Sequence, residues 1–176
     1  LSPENNYRVG IITSSDSCAA GEREDISGKV IKEIVISNGC RVESHSILPD
    51  EQELIEQELE RLCDTVKVDL ILTTGGTGFS PRDCTPEATL AVAHRIAPGI
   101  AEAIRQHSMT ITKRAMLSRA VSAIRGKTLI VNLPGSPKAV RESLEYIIDE
   151  LGHGLDILTG RDGSCADHKD TEKLKI

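Results

Sequence analysis

Apolar positions along the chain fall into short runs and helical stripes that alternate. Tyr7 to Thr13 carries Val9, Ile11 and Ile12, the pattern of a strand, and ends in the polar run Thr13-Ser14-Ser15-Asp16-Ser17. From Ser27 to Asn38, Val30, Ile31, Ile34 and Val35 share one stripe while Lys29, Lys32 and Glu33 take the other side. Ser27 stands at the capping position of this helix, and Asn38-Gly39 supplies its stop. Arg41 to Leu48 alternates as a strand and ends at Pro49-Asp50-Glu51. A helix over 50–64 follows, with Leu54, Ile55, Leu59, Leu62 and Cys63 as its inner face.

Leu70-Ile71-Leu72 is a third strand, emptying into Thr73-Thr74-Gly75-Gly76-Thr77-Gly78. Thr85-Pro86-Glu87 then opens a helix running to Ile96, with Thr85 as cap and Pro86 as first residue. Pro98-Gly99 begins a second helical segment to about His107. Met109 to Arg125 has apolar residues without a clean period and predicts irregular structure or a short helix. Thr128 to Leu133 is the last strong strand. After Asn132-Leu133-Pro134-Gly135-Ser136-Pro137, a helix capped by Ser136 turns Val140, Leu144, Ile147, Ile148 and Leu151 inward.

Strands alternating with helices predict an α/β three-layer sandwich, with a mostly parallel central sheet and helices on both faces. Residues 1–159 form a single domain, and residues 160–176 a polar, unpatterned, flexible tail. In such sheets ligands bind beyond the carboxyl ends of the strands. Segments 13–17, 49–50, 73–83 and 132–138 all follow strands and are expected to share that rim.

Composition narrows the ligand. The 176 residues carry a net charge of −6, with only 2% aromatics and no Trp. This argues against nucleic acid, which asks for a basic footprint and stacking platforms. No apolar run approaches the roughly 20 residues of a membrane span. Five scattered cysteines form no C-x-x-C pair, so they read as reduced thiols of a cytoplasmic protein.

The glycines at 75, 76 and 78 admit an anion to the backbone, and the hydroxyls of Thr73, Thr74 and Thr77 add donors. No Gly-Lys-Ser/Thr follows them, and G-x-G-x-x-G is absent, so this is neither common nucleotide loop. If the four segments meet, Asp16, Asp50 and Asp83 stand beside a phosphate cradle. Carboxylates tolerate phosphates through a divalent cation, and Mg²⁺ is bound by one or two carboxylates plus phosphate oxygens. Asp50 also sits at capping-box spacing with Glu53, which on pattern alone makes it an N-cap. Ser118-Arg119 is either a further phosphate contact or a surface pair.

The stretches Thr74-Gly75-Gly76-Thr77-Gly78, Pro81-Arg82-Asp83 and Thr85-Pro86-Glu87-Ala88-Thr89 resemble the signature of the molybdopterin adenylyltransferases, a family that includes the MogA group and the gephyrin G domain. Ser15-Asp16-Ser17, Leu48-Pro49-Asp50-Glu51, Ser118-Arg119 and Asn132 to Pro137 extend the likeness over residues 8–158. The resemblance implies an enzyme of molybdenum cofactor synthesis, usually a homotrimer, that joins ATP and molybdopterin with Mg²⁺ and releases pyrophosphate. It implies that Asp50 and Asp83 are the catalytic, metal-holding carboxylates, and that Thr74, Gly75, Gly76, Thr77 and Gly78 line the pocket. Ser14, Asp16, Arg82, Ser118, Pro134, Gly135, Ser136 and Lys138 would serve at its edges, Lys138 meeting a phosphate. Cys84 stands where the family more often has Val. A molybdenum-inserting enzyme would receive the product. The alternatives are a MoaB-like pterin-binding protein, an oligomerising scaffold and a generic nucleotide-binding regulator.

Overall fold

Strand-forming residues with branched side chains and helical stripes partition as the pattern requires in the computed structural model, which describes residues 6–161. The strands are β1 (Arg8–Ser14), β2 (Arg41–Leu48), β3 (Leu70–Thr74), β4 (Arg95–Ile96), β5 (Ser122–Arg125) and β6 (Thr128–Leu133). The helices are α1 (Asp16–Ala19), α2 (Ile26–Ser37), α3 (Gln52–Glu60), α4 (Thr85–Val92), α5 (Pro98–Ile111) and α6 (Pro137–Thr159). One sheet runs in the order β2-β1-β3-β6-β5-β4. The pairs β1/β2, β1/β3 and β3/β6 are parallel, while β5/β6 and β4/β5 are antiparallel.

Alternation along the central strands assigns each side chain to a layer. Val9, Ile11, Leu70, Leu72, Leu129 and Val131 face the layer of α2, α5 and α6, where Ile31, Ile34, Leu144, Ile147 and Leu151 meet them. Ile12, Ile71 and Ile130 face the opposite layer, against Ile55, Leu59, Leu62, Ala88 and Val92. Each Leu or Ile buried in these layers contributes roughly 1.5–3 kcal/mol of transfer free energy. The result is the three-layer sandwich expected from the pattern. The expected tail lies outside the described residues from 162 onward.

Several boundaries differ from the sequence reading, each for a physical reason. Asp25, not Ser27, caps α2, its carboxylate accepting from Gly28 N–H; Ser27 instead donates to the carbonyl of Gly135 at 2.8 Å. The helix expected over 50–64 splits into α3 and a π-helical turn, Arg61–Val66, closed by Lys67 in the left-handed region. The helix expected to reach Ile96 stops at Val92, because Arg95 and Ile96 pair with Ile124 and Ala123. Within Met109 to Arg125, α5 persists to Ile111, a 3₁₀ turn spans Lys113–Leu117, and β5 follows.

Candidate active site

Strand register decides where the loops meet. Ser14 is level with Leu48, Thr13 with Thr74, and Thr74 with Leu133. The loops that start at Ser15, Pro49, Gly75 and Pro134 therefore leave the sheet side by side.

The glycine loop is fixed through its carbonyls. Gly75 O accepts from Thr85 Oγ1 at 2.9 Å, and Gly76 O from Thr85 N at 3.1 Å. Thr77 O accepts from Arg119 N at 3.0 Å, and Gly78 O from Arg119 Nε at 2.6 Å. Thr85 is thus a tether rather than the expected cap. In a trans peptide, N–H and C=O point in opposite directions. Holding these four carbonyls against Thr85 and Arg119 leaves the N–H groups of Gly76, Thr77, Gly78 and Phe79 pointing away from those partners.

Glycine is required at two of these positions. Gly75 has φ +90°, and a Cβ on it would stand 2.2 Å from the Ser14 carbonyl oxygen. Gly76 has φ +62°, and its Cβ would fall 2.3 Å from Thr85 Oγ1, the loop's own tether, with Ser14 Oγ and Asp50 Oδ1 next nearest at 3.1 and 3.3 Å.

Asp50 is not a cap. Glu51 holds that position, without a side-chain bond, while Asp50 Oδ1 accepts from Ser14 Oγ at 2.5 Å and Oδ2 from Asp16 N at 3.1 Å. Asp83 reaches the rim from the glycine loop's own connection, with Oδ2 accepting from Ser80 N at 3.1 Å. Both carboxylates line one cleft of about 540 Å³. Ser14, Thr74, Gly75, Gly76, Gly135 and Ser136 line it too. The N-terminus of the 23-residue α6, capped by Ser136 Oγ on Ala139 N–H, opens at the same wall and adds positive potential there.

Other expected residues lie elsewhere. Thr77, Gly78, Ser118 and Pro134 line a second cleft of about 290 Å³. Arg82 forms a bidentate pair with Asp16, at 2.7 and 3.0 Å, and neither lines the large cleft. Its guanidinium, and next the N–H of Asp50, hold the Asp16 carboxyl below the usual range. Lys138 is 82% exposed and extends towards Glu142 at 3.8 Å, lining neither cleft.

One group, Asp25, was missed in the sequence, and a second, Arg119, was named there for a different role. Asp25 is buried beside the cleft and accepts from Gly28 N, from Thr13 Oγ1 at 2.8 Å, and from His45 Nε2 at 2.9 Å. Its place two residues before Ser27 is a cap signal that the pattern offered. Arg119 donates to Gly78 O and, at 2.8 Å, to Asp83 O, and it also pairs with Glu87. These bonds make it the clamp that holds Asp83 against the glycine loop. No local signal distinguishes that role. Burial, and then the charge of Asp50, raise the Cys84 thiol, so it is no nucleophile at neutral pH.

The residues fit a divalent cation shared with a phosphate. Among the described residues no three His, Cys, Asp or Glu side chains form a metal cluster by themselves. Two aspartates at one cleft instead match the partial set that Mg²⁺ completes with phosphate oxygens and water.

Residues 10–153 match the family model described as "Probable molybdopterin binding domain". The chain belongs to the molybdopterin-binding domain family. Relatives in this family include the molybdopterin adenylyltransferase of Helicobacter pylori strain J99, 42% identical over 154 residues, covering 86% of this chain and 88% of that protein. The molybdopterin adenylyltransferase of Escherichia coli strain K12 is 43% identical over 158 residues, covering 86% and 80%. Among solved structures, the molybdopterin biosynthesis enzyme MoaB from Thermus thermophilus superposes with a TM-score of 0.83 at 46% identity, covering 88% of this chain and 97% of that one. The matched segment of this molybdopterin-binding domain contains every residue of the large cleft named above.

Proposed function

We propose that this chain is a molybdopterin adenylyltransferase of molybdenum cofactor synthesis, with ATP and molybdopterin as substrates and Mg²⁺ as cofactor. The observation that carries the reading is the convergence of Asp50 and Asp83, from separate crossings, on one cleft beside the carbonyl-anchored glycine loop. The name shared by relatives at 42% and 43% identity supports it.

In the reaction, a terminal phosphate oxygen of molybdopterin forms a bond to the α-phosphorus of ATP. The bond from that phosphorus to its bridging oxygen breaks, and pyrophosphate leaves. Such transfers need little covalent help from a protein; positioning and charge neutralisation carry them. The amides of the glycine loop and the N-terminus of α6 would hold phosphate oxygens, while Ser14 orients the Asp50 carboxylate. Asp50 and Asp83 would hold Mg²⁺, which offsets the charge of phosphates crowded beside carboxylates. The second cleft, across the glycine loop, gives the other substrate a wall containing Thr77, Gly78, Ser118 and Pro134.

The test is release of pyrophosphate on mixing the protein with ATP, Mg²⁺ and molybdopterin. Asp50→Asn keeps an acceptor for Ser14, and Asp83→Asn keeps one for Ser80. Each is expected to lower turnover about 100-fold or more, the scale of losing one electrostatic stabiliser, while Asp50→Asn, which also loses the bond from Asp16 N–H, lowers the thermal midpoint by only about 2–4 °C. Nucleotide binding without pyrophosphate in the parent protein would replace this reading with pterin binding without turnover. Full activity in either variant would remove that aspartate from the mechanism.

The same reading places the protein in the cytoplasm as a homotrimer that passes its product to a molybdenum-inserting enzyme. No helix among the described residues is long and apolar enough to cross a membrane. Exposed Ile96, Met109, Ile111 and Tyr146 supply apolar surface for self-association, and light scattering at micromolar concentration tests the trimer.

A further inference from the structure

Asp16 and Arg82 have no contact with the large cleft, yet a chain of hydrogen bonds joins them to it. Arg82 Nε and Nη2 donate to the two oxygens of Asp16 at 3.0 and 2.7 Å. Asp16 and Asp50 are bonded reciprocally: Asp50 N–H donates to Asp16 Oδ1 at 3.0 Å, and Asp16 N–H donates to Asp50 Oδ2 at 3.1 Å. With Ser14 Oγ on Asp50 Oδ1, both oxygens of Asp50 accept a hydrogen bond.

The three residues come from three different crossings: Asp16 follows β1, Asp50 follows β2, and Arg82 follows β3. Arg82 supplies the cation that balances the Asp16 carboxylate. An exposed ion pair is worth at most about 1 kcal/mol of stability, and Arg82 and Asp16 are both half-exposed. Stability therefore does not account for so specific an arrangement. Orientation does, because groups that hold a ligating carboxylate set its affinity almost as much as the ligand itself.

We infer that Asp16 and Arg82 are positioning residues: a charged latch across three loops that fixes the Asp50 carboxylate in the pose that takes up a divalent cation with nucleotide phosphate. This deepens the proposed function and rests on its assignment of Asp50 as a metal-holding group.

The experiment measures Mn²⁺ retained with the protein, beyond that held by free ATP, by equilibrium dialysis against Mn²⁺ and ATP, for the parent, Asp16→Ala, Arg82→Gln and the double variant. Each single variant is expected to bind Mn²⁺ about tenfold more weakly or worse, the usual effect of losing such support. The double variant should be no weaker than the poorer single, since both act through one unit. In turnover assays the Mg²⁺ concentration for half-maximal rate should rise by more than kcat falls, which general loosening of the fold would not produce. Arg82→Gln alters only an exposed side chain and guards against misfolding of Asp16→Ala. Parent-like Mn²⁺ affinity in both single variants would overturn the latch while leaving Asp50 as a ligand. No Mn²⁺ uptake by the parent with ATP would overturn the metal assignment, and the latch with it.

Discussion

Replacing Gly75 by Ala tests the contact on which the rim is built. The backbone at Gly75 has φ +90°, where an L-residue costs about 1–2 kcal/mol. The new methyl would stand 2.2 Å from the Ser14 carbonyl oxygen, short of ordinary contact by about 1 Å. That neighbour is backbone, so no side-chain rotation relieves the overlap, and overpacking adds about 1–3 kcal/mol. A total near 4 kcal/mol corresponds to a fall in Tm of about 8–16 °C for a domain of this size. The loops after β1 and β3 must also separate, which carries Ser14 away from Asp50. Urea and thermal unfolding should show the loss, and pyrophosphate release should vanish even well below the lowered midpoint. Gly99→Ala is the control: nothing lies within 4 Å of its Cβ, and its place in the first turn of α5 favours Ala. A Gly75→Ala protein melting within about 2 °C of the parent would refute the reasoning.

Asn132 is fully buried; its Oδ1 accepts from Val121 N–H while Nδ2 donates to Thr73 and Thr89. Asn132→Ala should cost about 3 kcal/mol in urea unfolding, because it strands those groups and leaves a cavity. Arg119→Lys cannot reproduce the fork that spans Gly78 O and Asp83 O; it should lose about 2 kcal/mol and most of its turnover, measured by the same melts and pyrophosphate assay. Burial pushes the thiols of Cys40 and Cys63 up to about 11. In native protein at pH 8 both should resist iodoacetamide until denaturant is added, as mass mapping would report. Both groups bind their protons more tightly folded than unfolded, so their stability contribution is complete below about pH 9 and is lost as the pH rises towards 11. Thermal midpoints measured across that window should fall.

The elements that the pattern made legible are those long enough to complete a period. In α6, all five residues expected to face inward are buried, from Val140 to Leu151. The pattern overstated α3, where Leu54 is 37% exposed beside buried Ile55 and Leu59. Strands β4 and β5 were invisible for opposite reasons. Arg95 and Ile96 are both exposed and too few to alternate. In β5, buried Ser122 breaks the apolar signal because its hydroxyl bridges Ala97 O and Ala101 N–H.

Local sequence alone determined the alternation of strand and helix, the two-sided burial of the central strands, and the concentration of glycines, hydroxyls and aspartates just after strand ends. These follow from backbone periodicity and turn chemistry, which act over a few residues. Only the tertiary structure decided how those side chains are used. It put Ser14 and the Asp16 N–H on the Asp50 carboxylate, bound Arg82 to Asp16, made Arg119 a clamp, left Lys138 in solvent and set Thr77 and Gly78 at a different cleft from Gly75 and Gly76. Such choices depend on partners dozens of residues away, brought together by the register of β1, β2, β3 and β6. The polar groups at that rim settle with whichever neighbours the crossings deliver, and no local pattern encodes that encounter.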